Sequence, residues 1–227
     1  MYLYETNEKL LKWDSYFYKL CRTTAENSSC LSRQIGAVLV KDKTVVCTGY
    51  NGPPRGVRKC DQRWFVDAEM RTKAGFDPRE MDSSQFTHEL EGVCPRYVPE
   101  MGFKSGQGLE WCVAGHAERN ALINAARMGI KTKNSHLYMD CGVPCTPCLV
   151  EIINAGVKEI IITELKFYDQ SSQYLLKEAS NLQVRLYSSI CEHNDLLHKS
   201  GLSFPLMEGY CPDCGMQIGE VEGTSKP

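Results

Sequence analysis

No stretch of the sequence approaches the roughly 20 consecutive apolar residues that a bilayer-spanning helix needs. There is no long block of one charge either. Lys and Arg number 26 against 28 Asp and Glu, a formal net charge of −2. A protein that grips polymeric nucleic acid usually carries a basic stripe, because neutralising phosphates dominates its affinity. Without one, the expectation is a small-molecule partner, no polymeric nucleic acid and no membrane. The first residues, Met1 to Glu8, lack the basic-then-apolar run of a secretion signal, so a cytoplasmic setting is expected. No internal repeat is visible.

Cysteine, by contrast, is plentiful, at 12 of 227 residues. In a reducing compartment clustered cysteines are more often metal ligands than disulfides. Cys145 stands with Cys148, Cys211 with Cys214, and Cys94 and Cys112 flank a Gly-rich stretch. Cys21 and Cys47 sit in apolar or amphipathic runs and read as small buried hydrophobes. An apolar fraction of 42% supports a sizeable core, in one domain with an elaboration or a small appendage.

Helical spacing of Leu10, Leu11, Trp13, Phe17 and Leu20 predicts an amphipathic helix from about Glu8 to Thr24. Gly36–Val40 and Thr44–Thr48, joined by Lys41-Asp42-Lys43, predict a strand hairpin, and Gly49–Gly56 is loop chemistry. From Cys60 to Gly108 periodicity is poor; a loop this long inside a domain is functional or pinned by something. A helix from His116 to Met128 ends at Gly129. Strand His136–Asp140, helix Cys148–Ala155, strand Lys158–Thr163, a helix near Ser172–Ser180 and strand Gln183–Tyr187 follow. That alternation argues an α/β sheet with helices on its faces. The boundaries expected are a main domain over 8–187, with an insert at about 60–112, and a C-terminal appendage over 188–227.

Two separated motifs carry the chemistry: His116-Ala117-Glu118 and Pro144-Cys145-Thr146-Pro147-Cys148. H-x-E with P-C-x-x-C is the signature of zinc deaminases. Catalytic zinc takes three protein ligands and keeps one position open. His116, Cys145 and Cys148 supply one nitrogen and two thiolates, each near a helix start, where free N–H groups favour thiolate. Glu118, in the same turn as His116, is placed to move protons without ligating. A histidine at a helix start, or a Cys-x-x-Cys, is commonly structural by itself; the two together in this order are not.

Around these motifs the chain resembles the deoxycytidylate deaminase family. Ser32-Arg-Gln-Ile-Gly-Ala-Val38 is similar to its first-strand motif. Thr48-Gly-Tyr-Asn-Gly-Pro-Pro-Arg-Gly56 is similar to its substrate loop, and His116-Ala-Glu-Arg-Asn-Ala-Leu-Ile123 to its catalytic helix. The resemblance runs from about Trp13 to Tyr187. It implies a cytidine-deaminase-like α/β/α sandwich around a five-stranded mixed sheet, homo-oligomers, and conversion of dCMP to dUMP with release of ammonia, supplying dUMP for thymidylate synthesis. It also implies that Asn51 contacts the sugar, that Arg33, Arg127 and Tyr168 stand near the 5′-phosphate, and that Ala117 lines the substrate site. A deoxynucleoside triphosphate effector is a further implication. From the residues alone, Arg33 and Arg127 read equally well as solvated surface charges, and Tyr168 as a packed loop aromatic.

Cys30, Cys60, Cys94 and Cys112 form a candidate structural zinc set that would offset the entropy of ordering the insert, with His88 competing for a place. Some relatives are similar in carrying a second zinc, with ligands at positions like Cys30 and Cys60. Tyr210-Cys-Pro-Asp-Cys-Gly215 looks like half of a zinc ribbon, with Cys191, His193 and His198 upstream as partners for Cys211 and Cys214. Two other functions stay open: deamination of another cytosine compound or of adenosine in RNA, and a non-catalytic, zinc-stabilised interaction module.

Overall fold

The computed structural model describes residues 7–73, 75, 92–97, 103, 107–167 and 169–187. Tyr168, His88 and the C-terminal candidates Cys191, His193, His198, Cys211 and Cys214 lie outside the described residues. Helix α1 spans Asn7–Ala25, strand β1 Gly36–Lys41 and strand β2 Thr44–Tyr50. Two short helices follow, α2 at Cys60–Arg63 and α3 at Ala68–Lys73, then α4 at Ala117–Arg127 and β3 at His136–Met139. The chain continues through α5 (Thr146–Asn154), β4 (Glu159–Ile162), α6 (Gln170–Glu178) and β5 (Gln183–Leu186). None of these helices is long and apolar enough to cross a membrane.

The strands form one mixed sheet in the order β2-β1-β3-β4-β5. β1 runs antiparallel to both β2 and β3, and β3, β4 and β5 run parallel. Successive side chains of a strand face opposite sides, and here both sides are covered. Val38, Val40, Tyr138 and Ile161 pack under Phe17, Tyr18 and Cys21 of α1. Ala37, Leu39, Leu137, Met139, Ile160 and Ile162 pack under α4 and α5, with Leu175 and Leu176 of α6 against them. The outcome is the expected α/β/α sandwich, and Cys21 and Cys47 are buried in its core.

One polar cluster ties the first element to the last. Arg185 on β5 donates to both oxygens of Asp14 on α1, at 2.5 and 3.0 Å, and its Nε lies 3.4 Å from Glu159 Oε1. The Asp14 side chain is fully buried, so this bidentate pair satisfies a charge that would otherwise be stranded inside. His136 closes the chain at 3.0 Å from Glu159 Oε2.

The insert has more order than its sequence suggests. Trp64 and Met70 are fully buried, and the Trp64 indole N–H donates to Val93 O at 3.2 Å. Arg63 donates to Trp111 O at 2.6 Å and the largely buried Arg96 to Gln107 O at 2.8 Å. Arginine forks holding loop carbonyls replace the periodic apolar face that a sequence pattern would detect.

Sheet and helix α4 meet at Gly49. A Cβ there would lie 2.2 Å from the Ala121 nitrogen and 2.4 Å from the Ala117 oxygen, so β2 and α4 touch backbone to backbone. Gly49→Ala is expected to cost about 3 kcal/mol through overpacking, read as a lowered urea midpoint. Gly52→Ala, whose nearest neighbour would be the Ser29 hydroxyl at 3.4 Å, serves as the mild comparison.

Candidate metal centre

His116 is the N-cap residue of α4, and Cys145 is the N-cap residue of α5. Neither side chain caps its own helix. Both turn instead to a shared point. His116 Nδ1 lies 3.4 Å from Cys145 Sγ and 3.3 Å from Cys148 Sγ, and the two sulfurs are 3.4 Å apart. Among the described residues this is the one set of three His, Cys, Asp or Glu donors that closes within 4.8 Å. One imidazole and two thiols at these separations suit an ion with bonds of about 2.0–2.3 Å, and the absence of a fourth protein donor from the set is the pattern of a catalytic rather than a structural zinc.

Protons are shared unevenly among the three donors. The hydrogen bond between the thiols, and burial, push the Cys148 thiol far up. The same bond, together with that from His116, pulls Cys145 well below the ordinary thiol range. His116 is raised, first by its hydrogen bond to Cys145 and against its partial burial. Arg119 forks onto Glu151 of α5, Nε at 2.9 Å and Nη2 at 2.8 Å, and its charge reaches both Cys148 and Cys145.

Glu118 is 5% exposed, and its Oε1 comes to 3.8 Å from His116 Nδ1. Burial lifts its carboxyl above the usual glutamate range, opposed by the neighbouring His116 charge. A buried carboxyl whose affinity for protons is raised, beside a metal-type donor set, is the equipment of a proton shuttle.

The loop 49–56 is tied directly to this centre. Gly52 and Gly115 exchange backbone hydrogen bonds at 3.0 and 2.8 Å, immediately before His116. Asn120 and Asn124 of α4 donate to Tyr50 O and Thr48 O at 2.8 and 2.9 Å. Asn51 is 7% exposed; its Oδ1 accepts from Ile35 N–H and the Ser28 hydroxyl, both at 2.8 Å, while Nδ2 donates to Arg33 O at 2.7 Å. Asn51 therefore shapes the loop, with one amide hydrogen left for another acceptor. Ala117 is buried under β2. Arg33 is exposed, and its charge reaches Cys141, which also senses Glu118. Arg127 is the last residue of α4. It lies roughly 13 Å beyond Glu118 along the helix axis and lines a groove of about 440 Å³ with Arg55 and Asn124.

The insert cysteines share one neighbourhood. The charges of Cys94, Cys112 and Cys30 add to burial in pushing Cys60 up to about 11, and Cys94 is raised by burial and by Cys30 and Cys112. They are neighbours by charge rather than contact, since no three of them close to the spacing seen at His116. Sequence reasoning missed Ser28, Arg119, Asn120 and Asp169. Asp169-Gln-Ser-Ser172 does carry a helix-cap signal, with the Asp169 side chain accepting from Ser172 N.

The family model of the cytidine and deoxycytidylate deaminase zinc-binding region matches residues 11–164. Deoxycytidylate deaminase of Schizosaccharomyces pombe is 33% identical over 175 residues, 77% of this chain and 44% of that protein. That of Saccharomyces cerevisiae is 32% identical over 176 residues, 78% of this chain and 45% of its own. The one from Mycobacterium phage D29 is 30% identical over 149 residues, 66% and 92% respectively. This chain thus spans about half the length of the first two.

Zinc entering this centre must displace the Cys148 proton. Because the His116 proton is held more tightly as well, apparent zinc affinity is expected to weaken by at least about tenfold per unit of acidification around neutrality, measured by competition with a chromophoric chelator. Cys148→Ser should abolish tight binding.

Proposed function

Since the chain belongs to the cytidine and deoxycytidylate deaminase zinc-binding family, we propose that it hydrolyses dCMP to dUMP and ammonia. The observation that carries this reading is the buried Glu118 carboxylate 3.8 Å from the nitrogen of a three-donor zinc site. His116, Cys145 and Cys148 would hold zinc, whose Lewis acidity would make water nucleophilic near neutral pH. Glu118 accepts a proton from that water and delivers it to the ring nitrogen N3 of cytosine. The water oxygen bonds to C4, and Glu118 then takes its remaining proton and passes it to the amine as the C4–N bond breaks, so that one water enters and one ammonia leaves. Burial suits Glu118 to both directions by raising its proton affinity toward the working range.

Loop 49–56 holds the sugar, with Asn51 donating its remaining amide hydrogen, and Ala117 lines the base pocket beside it. Arg33 and Tyr168 take the 5′-phosphate; support for Arg33 is an exposed guanidinium whose field reaches the Glu118 side. Arg127, beside Arg55, is a further candidate for the 5′-phosphate, and a deoxynucleoside triphosphate effector belongs to the same reading. Homo-oligomerisation is supported by an apolar groove of about 410 Å³ between α4 and α5, lined by Leu122, Ile123, Ala126 and Ile130. The enzyme works in the cytoplasm on a free nucleotide. Cys30, Cys60, Cys94 and Cys112 hold a second, structural zinc that fastens the insert, supported by the charge coupling among them.

Glu118→Gln is expected to keep its zinc and lose at least about a hundredfold in kcat on dCMP, with ammonia release as the readout. Offered dCMP, deoxycytidine, CMP and dCTP, the protein should turn over dCMP and neglect deoxycytidine; equal rates on those two would remove the phosphate contact. A protein that binds zinc yet deaminates no cytosine compound would favour the interaction module.

Metal analysis of the Cys60→Ser, Cys94→Ser double variant should find one zinc fewer per chain than wild type. An unchanged zinc content would remove the structural site.

A further inference from the structure

The sulfur-bearing end of α5 is an unusual helix start. Its N-cap, Cys145, points its side chain at Cys148 and His116, so no side-chain cap forms there. Pro147 in the first turn has no N–H to offer. The open amide at Thr146 would face water alone, but a carboxylate from another element meets it. Asp169 Oδ2 lies 3.4 Å from Thr146 N, and Asp169 Oδ1 accepts from the Thr146 hydroxyl at 2.5 Å.

The same Oδ1 caps α6, accepting from Ser172 N at 2.6 Å and Ser172 Oγ at 2.9 Å. One carboxylate thus joins two helix starts, one of which presents both sulfur ligands. These contacts, that of the Thr146 hydroxyl foremost, hold Asp169 down to about 2, so the clasp stays ionised across any working pH. Asp169 is exposed, and exposed contacts of this kind contribute little to global stability. Their leverage is on geometry, where small misplacements of reacting groups are expensive.

We propose that Asp169 is a positioning residue of this deaminase: by clasping Thr146 to the start of α6, it fixes the turn that aims Cys145 and Cys148 beside Glu118. The proposal rests on the deaminase reading of the metal centre. Asp169 stands outside the donor set and acts on it through Thr146.

The test uses the full-length zinc protein and its cobalt-substituted form, with Asp169→Ala, Asp169→Asn, Thr146→Val and the Asp169→Ala, Thr146→Val double variant. Asp169→Ala is expected to lower kcat on dCMP by about tenfold or more and to speed zinc loss to a chelator by a similar factor, with KM changed less than about threefold. Its cobalt thiolate charge-transfer bands should shift. Asp169→Asn keeps an acceptor for Thr146 and Ser172 and should recover most of the rate. The double variant should be little worse than Asp169→Ala, because both changes open one contact.

Wild-type kcat, chelator kinetics and cobalt spectrum in Asp169→Ala would overturn the proposal. So would a lowered Tm with those three unchanged, the mark of a plain helix cap, or an Asp169→Asn as impaired as Asp169→Ala. Should Asp169→Ala fail to fold, Thr146→Val alone decides, by the same shift in kcat, zinc loss and cobalt bands or by its absence. Wild-type protein that neither holds zinc nor deaminates any cytosine nucleotide would sink the deaminase reading and this proposal together. An active wild type with an indifferent Asp169→Ala would sink the clasp alone.

Discussion

Two helices begin at one point, and the rest of the site follows from that. His116 and Cys145 occupy the residue where a helix normally uses a side chain to satisfy its own first amides, and both give that up. What is gained is a donor set carried on two backbone frames, with free N–H groups and helix dipoles favouring negative sulfur. Such convergence demands that β2, β1 and β3 hold the helices at fixed height. Gly49 does this on one side, where any side chain would collide with the α4 backbone. The continuous burial of β3 and β4 does it from beneath.

Most of the frame was legible because its periodicities are local. The first helix, the hairpin and the strand–helix alternation all appear within a residue or two of where hydrophobic spacing put them. Departures cluster where a functional side chain has been diverted. The α5 helix starts at Thr146 rather than Cys148, because Cys145 with extended backbone serves as N-cap and Pro147 tolerates the first turn. The α6 helix starts at Gln170 rather than near Ser172, because its cap is Asp169, whose second task lies on another helix. Apolar periodicity cannot register either event.

The insert was illegible for a different reason. Its anchors are arginines bonded to carbonyls distant in sequence and a tryptophan buried by folding rather than by pattern. The donors and acceptors that pair there share no repeat. Cys30, Cys60, Cys94 and Cys112 do share one neighbourhood, where they sense one another's charge. Likewise, the motif singles out Asn51 without revealing that three of its side-chain hydrogen bonds are spent on segment 28–35.

Those internal bonds connect the insert to the chemistry. Ser28 receives the Cys30 amide at 3.1 Å while its hydroxyl faces Asn51, and Asn51 in turn holds the Arg33 carbonyl. One residue before Arg33, Ser32 shares a hydrogen bond of 2.6 Å with Tyr97 of the insert. The segment 28–35 is therefore gripped both by Tyr97 of the insert and by Asn51 of loop 49–56. Ordering the insert removes conformational freedom from Arg33 and Asn51, the residues proposed for phosphate and sugar, and freedom lost before binding is not lost again on binding. A long, polar, aperiodic excursion is thus fastened to the segment that leads into β1, one hydrogen bond away from the loop that precedes the donor set.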